Sequence, residues 1–97
     1  MKTKLEEARE IINEIDRQLI DLFIKRMAAV SMVAEYKMEN DIPVLDSIRE
    51  EEIQERNVEL LSSKVLEPYY ITFFKGVLDA SKAYQAYLLD KFEKEKK

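Results

Sequence analysis

The segment LFIKRMAAVSMVAEYK, residues 22–37, sets Arg26 among Leu22, Ala29, Val30 and Val33 on one side of a helix and carries Lys37 one turn further along that side. At about 100° per residue, Leu19, Leu22, Arg26, Val30, Val33 and Lys37 lie within about 40° of one direction. The neighbours of Arg26 three and four positions away are Leu22, Phe23, Ala29 and Val30, so no acid on its own helix can pair with it. Lys37 can reach Asp41. An unpaired guanidinium is too costly to bury, so Arg26 must meet a carboxylate from elsewhere in the fold or from a ligand. A later stretch shows the same oddity. Ser81 and Gln85 sit four apart on the stripe of Phe74, Leu78, Leu88 and Phe92, and a buried amide needs partners for both its oxygen and its nitrogen. Between these two stretches, Asp46, Arg49 and Glu50 open another helix.

Taken singly, each residue has an ordinary structural reading. Arg26 could pair with a glutamate of another helix, and Lys37 could complement a helix C-terminus. Ser81 could bond back to a carbonyl of its own helix. Asp46 and Glu50 could be caps, with Arg49 paired to Asp46 or Glu52, and Arg9 could be a surface arginine beside Glu6. Taken together, three helices each interrupt an apolar stripe with polar groups, and the most inward of these are cations and amides. That describes a pocket for a small anion carrying more than one carboxylate. Paired-carboxylate acid–base chemistry and metal binding do not fit, because Asp46 and Glu50 are the only acids placed near it. With no Cys and no His, thiol and imidazole chemistry are excluded.

The elements that must hold these residues follow from the punctuation of the chain. Its 97 residues are 46% hydrophobic and 37% charged, with one Gly and two Pro, which predicts a single all-α domain. Thr3 to about Asn40 is free of Gly and Pro, with Leu5, Ala8, Ile12, Ile15, Leu19, Leu22, Arg26, Val30 and Val33 at helical spacing; Asn40, Asp41 and Pro43 end it. Ile42 to Leu45 is expected to be extended. Asp46 or Ser47 then caps a second helix reaching Leu61 or Ser62, and Ser47 with Glu50 has capping-box spacing. After a short loop, Pro68 opens a third helix that frays in a charged tail over about residues 90–97. Gly76 within it reads as a site of close helix approach.

The first helix is too long for the chain. About 38 residues at about 1.5 Å each span about 57 Å, whereas a compact globule of this length has a radius of gyration of about 12.5 Å and a diameter near 32 Å. Its apolar stripe runs end to end, so a second copy is expected to cover the remainder in an intertwined homodimeric bundle. The alternative is a kink near the middle, but no breaker lies between Ala28 and Ala34. A net charge of −4 with both signs interleaved argues against a nucleic-acid binder. The N-terminal MKTKLEEAREII lacks the apolar core of a signal peptide and no stretch has membrane-spanning length, so no membrane is expected and the cytoplasm is the default.

The ordered set resembles a known family. Arg9 precedes IINEID; LIDLFIKR ends at Arg26; Lys37 follows eleven residues later; then come P-V-x-D-x-x-R-E (Pro43, Val44, Asp46, Arg49, Glu50) and S-x-x-x-Q (Ser81, Gln85). Over about residues 5–90 this resembles the all-helical chorismate mutases. The resemblance implies a Claisen rearrangement of chorismate to prephenate, on the way to phenylalanine and tyrosine, by an intertwined dimer without cofactor or metal. It further implies that Arg26 and Arg49 bind substrate carboxylates and that Arg9 reaches in from the partner chain. Lys37 and Gln85 would hydrogen-bond the ether oxygen, Glu50 would hold the ring hydroxyl, and Asp46 and Ser81 would complete the pocket. Two rivals share the scaffold: an isochorismate pyruvate-lyase, and a non-catalytic or partner-dependent regulatory dimer acting on a shikimate-pathway enzyme. A coiled-coil scaffold would instead want an apolar residue at position 26.

Overall fold

The computed structural model describes residues 1–95, which form three α-helices: α1 (Lys4–Glu39), α2 (Ser47–Leu60) and α3 (Glu67–Glu95), with one 3₁₀ turn at Lys64–Leu66 before α3. No strand occurs among the described residues.

Each helix begins and ends for a local reason. Thr3 caps α1 by accepting from the Glu6 N–H (3.1 Å), and Glu6 and Glu7 place negative charge in its first turn. At its other end Asp41 adopts φ 54°, the left-handed region that Asp tolerates better than most residues. The Ile42 N–H reaches back to the Lys37 carbonyl (2.9 Å) and the Asp41 N–H to that of Met38 (3.5 Å), the two bonds of a Schellman stop. The connector that follows bends at Val44 instead of running extended, because this turn brings the Val44 carbonyl onto the Lys37 ammonium (3.0 Å). Asp46, not Ser47, caps α2: its Oδ1 accepts from the Arg49 N–H (3.0 Å). No Ser47–Glu50 capping box forms, since the backbone path makes Ser47 the first helical residue and not the cap, and the Glu50 side chain is thereby left for another use.

α1 and α3 pack together, and α2 packs on α3. The core is small: Val30 and Ala34 of α1 against Phe74, Leu78 and Leu88 of α3. Gly76 is exposed, with nothing within 4 Å of where a Cβ would stand. The expected close approach is not made in this chain, because Gly76 lies about 200° around α3 from Phe74 and Leu78, which carry the packing. The tail does not fray as expected: α3 continues to Glu95, built from good helix formers and supported by an Asp90–Lys94 pair at i,i+4 (3.0 Å). Residues 96 and 97 of that tail lie outside the described residues.

α1 does not kink to fold back on its own chain. The molecule measures 62 × 27 × 15 Å, and its radius of gyration of 17.5 Å exceeds the value of about 12.5 Å for a compact chain of this length. Leu5, Ile12, Ile15, Leu19 and Leu22 are 42–59% exposed, so the N-terminal two-thirds of the stripe is uncovered within this chain. Further along, Leu19, Leu22 and Phe23 of α1 with Tyr70, Phe73, Phe74 and Val77 of α3 line an apolar groove of about 340 Å³ that continues the same stripe. No helix among the described residues is long and apolar enough to cross a membrane.

Candidate active site

α1 and α2 both face the middle of α3, around Leu78–Gln85, yet no Cα of α2 comes within 8 Å of one in α1. The space between them is a cavity of about 310 Å³. Ala29, Val30 and Val33 of α1, Ile53 of α2 and Leu78 of α3 supply its apolar wall. Its polar groups are Arg26 and Lys37 from α1, Asp46 from the cap, Arg49 and Glu50 from the first turn of α2, and Ser81, Lys82 and Gln85 from α3. Seven of the eight residues singled out in the sequence therefore meet in one place. Arg9 does not. It is exposed and precedes Arg26 by 17 positions, about 25 Å along a straight helix, so it cannot reach this cavity in its own chain.

Arg26 is half-buried. Its Nη1 donates to the Ser81 hydroxyl and its guanidinium lies over the Phe74 ring, 5.8 Å from the centroid. Ser81 in turn donates to the Val77 carbonyl (2.9 Å), so the back-bonded serine of the ordinary reading is also the prop of an arginine. The Lys37 Nζ donates to the Val44 carbonyl (3.0 Å) and to Gln85 Oε1 (2.9 Å). An ammonium has three donors and accepts nothing, so one donor remains, and the amide of Gln85 must turn its oxygen toward Lys37. The Gln85 nitrogen makes no bond among the described residues and is left with two hydrogens for whatever the cavity holds.

The charges are unbalanced. Among the described residues, no carboxylate lies within 4.0 Å of Arg26, Lys37 or Arg49; the pairings of Lys37 with Asp41 and of Arg49 with Asp46 or Glu52 do not form. Of the two acids, Asp46 is engaged as a helix cap, and Glu50 pairs with Lys82 (3.2 Å). The cavity thus sets three cations without acidic partners among the described residues, with Arg49 at its exposed rim, and an amide donor beside an apolar wall, the arrangement for a compact polyanion.

Lys82 was not anticipated from the sequence, because it sits one position past Ser81 and off the apolar stripe. It also contacts Asp79 (3.5 Å). The Glu50 carboxylate, and secondarily Asp79, hold the Lys82 ammonium above its usual range. A raised value means that, while Glu50 is ionised, any stability this pair contributes is fully present below the ordinary lysine value of 10.5 and fades as pH climbs through the folded value.

Comparison with known proteins identifies the family of the chain. The family model described as chorismate mutase type II matches residues 8–86. A chorismate mutase of Methanocaldococcus jannaschii is 33% identical over 98 residues, covering 100% of this chain and 99% of that protein. A bifunctional chorismate mutase/prephenate dehydratase of Buchnera aphidicola (subsp. Schizaphis graminum) is 35% identical over 92 residues, covering 94% of this chain and 24% of that protein. Its counterpart from Buchnera aphidicola (subsp. Acyrthosiphon pisum) is 33% identical over 85 residues, 87% of this chain and 22% of that protein. This chain therefore spans about a quarter of the length of the two bifunctional relatives. No solved structure matches it.

Proposed function

This chain belongs to the chorismate mutase type II family, and from that premise we propose that it acts as a single-domain chorismate mutase, rearranging chorismate to prephenate in its α1–α2–α3 cavity. The observation that carries the reading is the trio of cations without carboxylate partners, Arg26, Lys37 and Arg49, beside an amide whose oxygen is already taken by Lys37.

The reaction is intramolecular. A C–O ether bond breaks as a C–C bond forms, with no proton transfer, no covalent intermediate and no cofactor. Two things remain for the protein to do. It must hold a flexible dianion in the compact conformer in which the two carbon termini meet, which is positioning. It must also stabilise the negative charge that grows on the ether oxygen as the C–O bond lengthens. Arg26, propped by Ser81 and Phe74, and Arg49 suit the first task as carboxylate clamps. Lys37 and Gln85 suit the second: a fixed cation and a neutral donor, side by side, each with hydrogens to spare. Glu50 accepts from the ring hydroxyl, and Asp46 closes the rim. Following chorismate absorbance with purified protein tests this. Loss of chorismate with formation of prephenate, absent in Arg26→Ala, is expected; release of pyruvate from isochorismate instead would assign a lyase.

The site is completed by a second copy. A chain whose apolar stripe is exposed over most of α1, and whose α1–α3 groove continues it, is suited to burying the α1 of a partner, and an antiparallel partner helix carries Arg9 toward this cavity. Mixing two inactive variants tests that arrangement. If Arg9 acts across the interface, Arg9→Ala and Arg26→Ala recombine, after unfolding and refolding together, into heterodimers with one intact site. About a quarter of wild-type activity should return. If Arg9 acts within its own chain, mixing restores nothing; if it does not act on the substrate at all, Arg9→Ala is active before any mixing.

A further inference from the structure

Lys82 belongs to two cavities at once. On one side it lines the candidate active site; on the other it lines a groove of about 260 Å³ between α2 and α3. Glu50 and Leu78 are shared by the same two spaces, so the Glu50–Lys82 ion pair is part of the wall between them. Asp79 lines only the outer groove. Charges therefore alternate from outside to inside: Asp79, Lys82, Glu50, and then the cations of the cavity.

That order has an electrostatic consequence. A carboxylate beside three cations that lack partners would, if unclaimed, compensate one of them and compete with an anionic substrate for it. Lys82 is the one cation at the site already committed to acids of the protein itself, 3.2 Å from Glu50 and 3.5 Å from Asp79. Its tether to Asp79, one turn earlier on α3, holds it at the outer edge. Resting on the reading of the site given above, we propose that Lys82 is a positioning residue: it claims the Glu50 carboxylate, holding it off the substrate-binding cations and in place to accept the substrate's ring hydroxyl.

The role acts on binding. Contacts to the ring hydroxyl and to the carboxylates exist in both ground and transition states, so losing Lys82 should raise KM while changing kcat little. Steady-state kinetics of wild type, Lys82→Met, Lys82→Arg, Glu50→Gln and the Glu50→Gln/Lys82→Met double variant, alongside their melting temperatures, decide the matter. Lys82→Met is expected to raise KM for chorismate about tenfold, with kcat within about threefold. Lys82→Arg should recover most of the loss. The double variant should show no higher KM than Glu50→Gln alone, because with the charge of Glu50 gone Lys82 has nothing to restrain.

A lowered melting temperature in Lys82→Met with an unchanged KM would make the pair a mere tie between α2 and α3 and overturn the proposal. So would KM effects that multiply in the double variant. Wild-type protein that neither binds nor turns over chorismate would overturn the reading of the whole site, and this role with it.

Discussion

Lys37→Ala is expected to lower kcat about 10³-fold or more while moving KM far less. Removing one preorganised donor to a developing oxyanion costs about 10²–10³ in kcat, and this substitution removes more than one. Lys37 supplies a full charge, and it alone sets the orientation of Gln85 by donating to its Oε1 at 2.9 Å. Without the ammonium, the amide has no reason to present its nitrogen to the ether oxygen. The Val44 carbonyl also loses its donor at 3.0 Å, which loosens the connector leading into the Asp46 cap. Since charge on the ether oxygen exists only as the bond breaks, the loss falls on kcat and on kcat/KM alike. Steady-state rates from chorismate absorbance, with circular dichroism to verify helix content, read this directly. Equal and small effects from Lys37→Ala and from Arg9→Lys would refute the assigned roles.

Arg26→Met should separate function from stability. A charged hydrogen bond is worth about 1.5–3 kcal/mol, and a guanidinium can offer a carboxylate two of them. Losing both predicts a fall in kcat/KM of about 10³, most of it in KM. Lysine at this position should recover only part, since it lacks the planar fork. Stability should move the other way or not at all. Arg26 is half-buried with no carboxylate within 4.0 Å among the described residues; its only compensation is the Ser81 hydroxyl and the face of Phe74. An apolar side chain of similar length relieves that desolvation, so the ligand-free melting temperature of Arg26→Met should equal or exceed the wild-type value. A large drop in melting temperature would mean that Arg26 is a structural residue and that its lack of an acidic partner says nothing about a ligand.

Much of the site was legible because a helix maps sequence spacing onto direction. Arg26 and Lys37 are eleven apart, close to three turns, and Ser81 and Gln85 are four apart, so each pair had to share a face whatever the rest of the chain did. Their intrusion into apolar stripes marked them, and the structure brings both pairs to one cavity. Lys82 carried no such mark. Its importance depends on α2 lying beside α3 so that Glu50 comes within 3.2 Å, and no spacing within α3 encodes that contact. The capping detail escaped for a related reason: Asp46 and Ser47 are both good caps, and only the backbone path after the bend at Val44 selects Asp46.

The amino-acid sequence by itself determined the three helices, the stop of the first, the excess of cations over usable acids on the inward faces, and a first helix longer than one such chain can cover. These are local or one-dimensional properties, set by hydrogen bonds within a helix, by capping and by length. Tertiary structure alone decided which acids the cations were denied. It holds α1 and α2 apart across α3, assigns Glu50 to Lys82, and leaves Arg26, Lys37 and Arg49 without a carboxylate among the described residues. Coulomb energy depends on distances between groups far apart in the chain, and those distances exist only once the helices have packed.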